Sequence, residues 1–405
     1  MFGLKTYKIF VVFRVLVEWT VYIIGLFNIN SMISRKNVQI KRIAFQVYAL
    51  HLAQFYQPIV AGLQKKYSDK IEITFVILSH PHFSFKATRD LREYIQNVLL
   101  IPRENIKPFW KVIWEEYDMM VFVDLYAKFP LRKTRTWFMN HGAVINERHL
   151  KNALFRKSVF DFDRAFFTGL YDIELLKPFF NRQNKEINFQ ATGLPFLDRL
   201  IDPPISKSVY FENLSLDETK KTVLFTPHWK GSDDKQASSI NTYFDQVILL
   251  LQKTDYNIIL KLHACSFNIA MANGIDWKKK IQGLKGVAVD YDFDDIPALK
   301  YSDLILSDFS STRALNFMLL DKPVVMILHS LSTFTSESLN IIRKGAIVLE
   351  RIETLNETLE YAFTHPELLK DERQEVTSHF IINFGKATGV VVDRIGNELD
   401  LQPQV

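Results

Sequence analysis

Two histidines stand just past predicted strand ends, one in each half of the chain. His141 follows a short apolar run and precedes Gly142, whose missing side chain would let a ligand approach the backbone. His263 follows a second such run, and strand alternation places Lys261 and His263 on the same side. An imidazole that titrates near neutrality is suited to taking a proton from an attacking hydroxyl group. One histidine at a strand end is more often structural, but the pair predicts a catalytic cleft between two domains.

A hydroxyl-rich turn is the most informative stretch for binding. A predicted strand ends at residue 307, and Asp308, Ser310, Ser311 and Thr312 follow before a helix begins near Arg313. Free N–H groups and hydroxyls at a helix N-terminus can hold a phosphate, although an ordinary N-cap is the simpler alternative. A cation in the first turn opposes the helix dipole and favours a nearby anion. The turn is therefore predicted to bind phosphate.

The segment 225–231 also follows a strand and carries groups that suit a nucleotide. Thr226, His228, Trp229 and Lys230 offer a hydroxyl, an imidazole, an indole ring and a cation. These groups could stack on a base or hold a phosphate, and the alternative is a turn with a solvated lysine. We keep Thr226, His228 and Lys230 as predicted donor contacts.

Metal and cofactor chemistry finds no support in the sequence. The pair His80 and His82 lacks neighbouring carboxylates, and the aspartates between 290 and 295 lack the glycine and spacing of a calcium loop, so helix caps are the better interpretation. Cys265 is the single cysteine, which excludes an internal disulfide and a multi-thiolate zinc site. The glycine-rich dinucleotide fingerprint, the P-loop and the Gly-x-Ser-x-Gly elbow are absent. No metal and no cofactor is predicted.

Composition sets the class of protein. The 405 residues suffice for two or three domains, and a hydrophobic fraction of 48% excludes a disordered chain. A net charge of +5 is too mild for a protein dedicated to duplex binding, so no nucleic-acid partner is predicted. The same charge suits an enzyme that handles anionic substrates or rests on an anionic membrane.

The body of the chain alternates continuous apolar strands with amphipathic helices. This alternation predicts an α/β protein with parallel sheets buried on both faces. A polar, proline-containing stretch at 203–220 reads as a linker. The predicted fold is two doubly wound, Rossmann-like domains, 36–202 and 221–405, that face each other across a cleft. Ligands of such sheets bind outside the carboxyl ends of the strands.

The N-terminal segment 1–35 is predicted to be an apolar or amphipathic membrane-associating helix. Residues 9–27 have the length of a spanning helix, but Arg14 and Glu18 lie on one face of it. A narrow polar stripe is typical of a helix that lies in the membrane interface. Whether the segment spans the membrane or lies on it stays open, and a buried helix of the fold is the alternative.

These motifs, taken in order, resemble the CDP-glycerol glycerophosphotransferases that build teichoic acids and related capsule polymers. The resemblance covers roughly residues 130–390. It consists of five elements in order. The first four are a His-Gly element at 141–142, a Gly-x-Pro turn at 193–195, a Pro-Thr-Trp-Arg-like segment at 227–230 and a Lys-x-His element at 261–263. The fifth and longest, at 294–327, is an Asp-Ile-x-x-Leu stretch that leads to a Ser-Ser signature and then to Lys-Pro before a strand.

The resemblance implies a GT-B architecture whose second domain holds the donor. An acceptor hydroxyl would attack the β-phosphate of a CDP-alcohol and release CMP. By position, His141 would be the general base, and His263 would bind the diphosphate or assist the departure of CMP. Ser310, Ser311 and Lys261 would contact phosphate. The acceptor would be lipid-linked or polymeric, and the enzyme would work at the cytoplasmic face of the cell membrane.

Four departures from the family pattern fall around the donor site. Asn140 replaces an aromatic residue, the segment 227–230 reads Pro-His-Trp-Lys, Ala264 replaces a proline and Phe309 replaces a tyrosine. The alcohol that the donor carries, whether glycerol, ribitol or a sugar, therefore stays open.

Two other functions remain as alternatives. One is a GT-B glycosyltransferase that uses a nucleotide-sugar for cell-surface polysaccharide synthesis. Its retaining members place two glutamates eight residues apart, where this chain has Asp308 and Asn316. The other is a scaffold that binds a membrane or polymer and has kept the fold without catalysis.

Overall fold

The computed structural model describes most of the chain. The described residues are 40–79, 85–142, 162–180, 188–229, 238–269, 272, 274–308, 311–328 and 336–403. The predicted N-terminal helix, Lys230, Ser310 and the His80/His82 pair lie outside them. None of the helices in the described ranges is long and apolar enough to cross a membrane.

Two parallel sheets organise the chain, as predicted. The strands of the first sheet are β1 Lys41–Val47, β2 Ile71–Ile77, β3 Ile106–Pro108, β4 Met119–Phe122, β5 Arg135–Met139, β6 Arg164–Phe167 and β7 Asn188–Ala191. The strands of the second sheet are β8 Thr222–Thr226, β9 Asn257–Leu260, β10 Ala288–Val289, β11 Leu304–Asp308, β12 Val324–Ile327 and β13 Ile347–Leu349. All pairings between these strands are parallel, which confirms an α/β fold with two parallel-sheet domains.

Helices connect the strands and cover the sheets. Those of the first half are α1 Leu50–Ala53, α2 Gln57–Tyr67, α3 Phe85–Asn97, α4 Phe109–Val112, α5 Leu170–Phe180 and α6 Pro195–Asp198. Those of the second half are α7 Lys207–Asn213, α8 Ser239–Thr242, α9 Phe244–Leu251, α10 Trp277–Ile281, α11 Ile296–Tyr301, α12 Thr312–Met318, α13 Ser336–Lys344, α14 Leu355–Thr364, α15 Lys370–Phe380 and α16 Ala387–Glu398. Short 3-10 turns lie at Gln54–Tyr56, Arg103–Asn105, Ala264–Phe267 and Ile352–Thr354.

The strand order places one crevice at the carboxyl edge of each sheet. The first sheet has the order β3-β2-β1-β4-β5-β6-β7, and the second has β10-β9-β8-β11-β12-β13. The direction of winding reverses between β1 and β4 in the first sheet and between β8 and β11 in the second. Ligands of open α/β sheets bind at such reversal points, outside the carboxyl ends of the strands. Side chains that follow β1, β4, β8 and β11 therefore line the two crevices.

The central strands form because most of their residues are apolar and buried on both faces, and the buried polar side chains of β1, Arg42 and Gln46, form hydrogen bonds. All five residues of β8 are buried, and so are six of the seven residues of β1. The 3-10 turn Gln54–Tyr56 is hydrogen-bonded to the carboxyl edge of the first sheet. The Tyr56 hydroxyl contacts the carbonyls of Gln46 at 2.9 Å and Val121 at 3.2 Å. The start of α2 is thereby fixed to the ends of β1 and β4.

The segment predicted as a plain linker, 203–220, contains helix α7. Ser206 caps it by accepting a hydrogen bond from the Val209 N–H at 3.3 Å. Tyr210 and Phe211 are buried in the same apolar cluster as residues of the second sheet. The linker prediction missed this helix because two adjacent aromatic residues in a polar stretch give little periodic signal.

The last helix departs from the predicted domain boundary. Val391, Val392 and Ile395 of α16 belong to the apolar core of the first sheet, together with Ile43 and Phe45. The chain therefore returns to the first domain after completing the second. The apolar face of α16 gives the reason, because residues at these spacings lie on one side of a helix and must be covered.

The predicted Gly-x-Pro turn closes the first domain. Gly193 has φ +83°, and a Cβ there would lie 2.4 Å from the carbonyl oxygen of Ile382, so only glycine fits. Pro195 begins α6, where its missing N–H costs no helix hydrogen bond.

Candidate active site

Backbone hydrogen bonds fix the His-Gly element at the end of β5. The Asn140 side chain donates to the Gly142 carbonyl at 3.0 Å, and the Thr168 hydroxyl donates to the same oxygen at 2.8 Å. The Asn140 N–H donates to the Phe166 carbonyl at 2.9 Å. Asn140, which replaces an aromatic residue of the family pattern, thus anchors the turn that presents His141.

The imidazole of His141 has a defined proton position. Its Nδ1 lies 2.6 Å from the carbonyl oxygen of Val123, at the end of β4. A carbonyl oxygen only accepts, so Nδ1 carries the hydrogen and the neutral ring keeps its lone pair on Nε2. The ring of Phe55 packs against the imidazole with centroids 5.6 Å apart. This partly exposed imidazole has the form of a base.

His263 has the opposite arrangement. It caps the short 3-10 turn after β9, and its Nδ1 accepts the Cys265 N–H at 3.1 Å. The hydrogen of the neutral ring therefore lies on Nε2. Burial, followed by the charge of Arg313 and three neighbouring histidines, lowers the pKa of His263 well below its ordinary value. The Trp229 ring stacks on the imidazole with centroids 5.7 Å apart.

Asp308 holds the loop that carries His228 and Trp229. Its buried carboxylate accepts the His228 N–H at 2.5 Å and the Ser239 N–H at 3.0 Å. The Ser238 hydroxyl donates to the His228 carbonyl. Burial raises the pKa of the Asp308 carboxyl to about 6. Asp308, predicted as a donor contact, therefore positions the segment after β8.

Lys261 and Arg313 both form ion pairs with aspartates of the loop 290–295. The Lys261 ammonium is buried and donates to the Asp290 carboxylate and the Asp292 carbonyl, both at 2.8 Å. Arg313 forms two hydrogen bonds to the Asp295 carboxylate at 2.8 and 2.9 Å and a third to the Lys261 carbonyl at 3.1 Å. The anion expected beside Arg313 is thus the Asp295 carboxylate, which lies at the start of α11.

The loop 290–295 is a series of turns in which aspartate side chains accept backbone N–H groups and pair with cations. The carboxylates of Asp290, Asp292 and Asp294 each accept the backbone N–H two residues ahead, at 2.9 to 3.1 Å. Arg199 pairs with Asp294 at 2.5 Å. The predicted capping role is confirmed at Asp294, whose carboxylate accepts the N–H of Ile296. Within the described ranges, no group of three or more His, Cys, Asp and Glu side chains is arranged to hold a metal ion.

The remaining predicted donor residues lie at the same edge of the second sheet. Thr226 is fully buried at the end of β8, and its hydroxyl lies 3.2 Å from that of Ser307. Ser311 precedes α12 without a side-chain cap bond, and its N–H donates to the Asp308 carbonyl at 3.1 Å. Thr312 is the first residue of α12.

Sequence reasoning missed one histidine of the site. His51 lies in α1, four residues after the end of β1, and its ring contacts the His263 ring with centroids 6.0 Å apart. The rule that found His141 and His263, a histidine just past a strand end, applies equally to His51. The structure therefore brings His51, His141, His228 and His263 together, from four strand ends of two sheets.

Comparison with known proteins agrees with this architecture. A family model described as CDP-glycerol:poly(glycerophosphate) glycerophosphotransferase matches residues 139–396. The fold is similar to that of the wall teichoic acid polymerase TagF, with 16% identity, a TM-score of 0.61 and coverage of 98% of this chain and 96% of that one. A TagF variant soaked with CDPG gives a TM-score of 0.62 at 15% identity, with 98% of both chains covered.

A nucleotide-sugar enzyme shares the same fold. The UDP-GlcNAc 2-epimerase of Neisseria meningitidis, solved with UDP-GlcNAc, has 14% identity and a TM-score of 0.61 over 88% of this chain and 100% of its own. No curated protein sequence matches. The family model covers well over half of the chain, and the chain belongs to the CDP-glycerol:poly(glycerophosphate) glycerophosphotransferase family, a family of transferases.

Proposed function

We propose that this enzyme transfers a glycerophosphate or related polyol-phosphate unit from a CDP-alcohol to an acceptor hydroxyl and releases CMP. The observation that carries the proposal is the opposite hydrogen bonding of His141 and His263, which places the lone pair of one neutral imidazole and the hydrogen of the other on Nε2. Attack on a diphosphate needs both, a base for the nucleophile and a donor for the charge that develops on the phosphate oxygens.

The acceptor side uses His141. Nδ1–H is held by the Val123 carbonyl, so the lone pair of the neutral ring lies on Nε2. The acceptor hydroxyl gives its proton to Nε2 as its oxygen bonds to the β-phosphorus. A carbonyl that accepts from Nδ1 in this way fixes both the tautomer and the ring orientation, which keeps the base aligned with the hydroxyl.

The donor side uses His263 and the cations beside it. As the new bond forms, the bond from the β-phosphorus to the bridging oxygen breaks, and CMP leaves with the electron pair. Nε2–H of His263 donates to the phosphate oxygens. Ser310, Ser311, Thr312, His228 and Lys230 are the proposed donor contacts. Lys261, Arg313 and Asp308, which the sequence also suggested as contacts, act indirectly, since their charged groups already bind Asp290, Asp295 and the loop after β8.

The acceptor in this proposal is a lipid-linked or polymeric chain of the teichoic-acid or capsule type, at the cytoplasmic face of the membrane. Support comes from the family, whose description names a poly(glycerophosphate), and from the apolar segment 9–27. Flotation of the full chain with anionic vesicles tests the location. We expect binding that is lost when residues 1–35 are removed, and equal flotation of both forms would contradict it.

A donor screen tests the reaction. Purified protein is incubated with CDP-glycerol, CDP-ribitol and UDP-sugars in turn, with a membrane extract as the source of acceptor. We expect CMP release that depends on the extract, and transfer of the alcohol phosphate to a larger product. Release of UDP alone would replace the proposal by a glycosyltransferase. Nucleotide binding without turnover on any acceptor would favour a scaffold.

A further inference from the structure

His51 occupies the reversal point of the first sheet. It belongs to α1, directly after β1, and Asp124 follows β4 on the other side of the same crevice. The residue is half-buried, and the groups packed around its ring exclude most of the water from it. Among the described residues, it is the first-domain side chain whose ring contact reaches His263 of the second domain.

The ring of His263 is held from two directions. The His51 ring meets it edge-on, at 6.0 Å and an interplanar angle of 63°. The Trp229 ring stacks on it at 5.7 Å and 21°. The Cys265 N–H fixes Nδ1. Of these three contacts, only the one from His51 crosses between the domains.

The groups that face His51 come from both domains and carry both signs. They are His141, Asp124, Asp295, Arg313 and His263. Burial is the largest cause that lowers the pKa of His51 to about 4, and the neighbouring His141 adds to it. His51 is therefore neutral at neutral pH and packs against a second neutral imidazole without charge repulsion.

We propose that His51 is a positioning residue, which sets the orientation of His263 from across the cleft and thereby aligns the donor-side N–H with the base on the acceptor side. This inference rests on the proposed function for its effect on rate. A displacement of about 1 Å at a reacting group costs about 10²-fold in rate, so a packing contact of this kind has a measurable effect.

Three variants separate packing from other roles. His51→Ala removes the ring, His51→Phe keeps an edge-on aromatic ring without nitrogen, and His379→Ala is the matched control. His379 also packs on aromatic rings, those of Tyr171 and Phe380, but lies on α15. For each we measure kcat, the donor KM and the pH profile of kcat for CMP release.

We expect His51→Ala to lower kcat by about 10- to 100-fold with little change in donor KM. The pKa of His263 should rise toward its ordinary value, because water reaches the ring. His51→Phe should recover most of kcat, and His379→Ala should match the wild type. A wild-type kcat in His51→Ala would overturn the proposal. Equal loss in His51→Phe would also overturn it, since a hydrogen-bonding role would then be required.

A second measurement does not depend on the reaction. The pH titration of the His263 ring protons by NMR should show a higher pKa in His51→Ala than in the wild type, His51→Phe and His379→Ala. An unchanged titration would refute the contact itself. If the titration shifts but no CDP-alcohol supports turnover in the wild type, the proposed reaction fails and the positioning contact stands.

Discussion

The carboxyl edges of the two sheets each present an imidazole, and the two imidazoles differ in what holds Nδ1. At the first edge, the Val123 carbonyl accepts a hydrogen bond from His141. At the second edge, the Cys265 N–H donates to His263. Both partners are backbone groups, so the difference does not depend on the identity of a neighbouring side chain. The direction of the hydrogen bond at Nδ1 thus places the hydrogen of the neutral ring on Nδ1 in His141 and on Nε2 in His263.

The two edges also differ in how charge is distributed around them. On the second edge, Arg313 and Lys261 are paired with aspartates of the loop 290–295. Cations that bind a carboxylate inside the protein are held in fixed positions, which limits the reorganisation needed when a phosphate develops charge. On the first edge, the hydrogen-bond partner of His141 is the neutral Val123 carbonyl, and a neutral hydroxyl acceptor requires no fixed cation.

Removal of the base should give the largest effect. We expect His141→Ala to lower kcat for CMP release by about 10²- to 10⁴-fold, because no other lone pair replaces Nε2 at the acceptor. The dissociation constant of the donor, measured by calorimetry, should stay near the wild-type value. His365→Ala, at the exposed histidine that directly follows α14, is the control. A large rise in the donor dissociation constant would instead place His141 on the donor side.

Substitution of Asp308 tests how a buried carboxylate at the carboxyl edge of the second sheet affects stability as pH changes. Its folded pKa is about 6, against an ordinary 3.8, so the folded state holds a proton that the unfolded state has lost between these values. Wild-type stability should therefore fall, relative to Asp308→Asn, as pH rises from about 4 to about 6, by up to about 3 kcal/mol. Urea unfolding at several pH values measures the difference.

The control for this titration is Asp255→Asn, at an exposed carboxylate that pairs with Lys220. Its stability relative to the wild type should stay nearly flat over the same range of pH. If the stability of the wild type relative to Asp308→Asn stayed constant or rose with pH, the charge of the buried carboxylate would not destabilise the folded state.

The smallest effect concerns the hydrogen bond to His263. Cys265→Pro removes the N–H that donates to Nδ1, whereas Cys265→Ser keeps it. Without that donor, a protonated Nδ1 is tolerated, so the pKa of His263, followed by NMR titration of its ring protons, should rise in Cys265→Pro and not in Cys265→Ser. An equal shift in both variants would assign the effect to the thiol, and no shift in either would remove the distinction between the two histidines.

Local sequence was sufficient for the fold class and for part of the site. Strands at residues 222–226 and 324–327 match β8 and β12, because a strand buried on both faces must be a continuous apolar run. The same reasoning located His141 and His263 past strand ends. It missed β3, β7 and β13, whose few residues carry too little pattern.

What the sequence determined by itself is the alternation of buried strands and amphipathic helices, and therefore two parallel sheets whose carboxyl ends carry the polar groups. Tertiary structure alone decided the proton position of His141, since Val123 is 18 residues away, whereas that of His263 is set by the N–H of Cys265 within the same turn. It also decided that His51 meets His263 and that Lys261 pairs with Asp290. The physical reason is that periodicity reports which face of an element is buried, whereas a hydrogen bond or ring contact depends on atoms that folding brings together from distant parts of the chain.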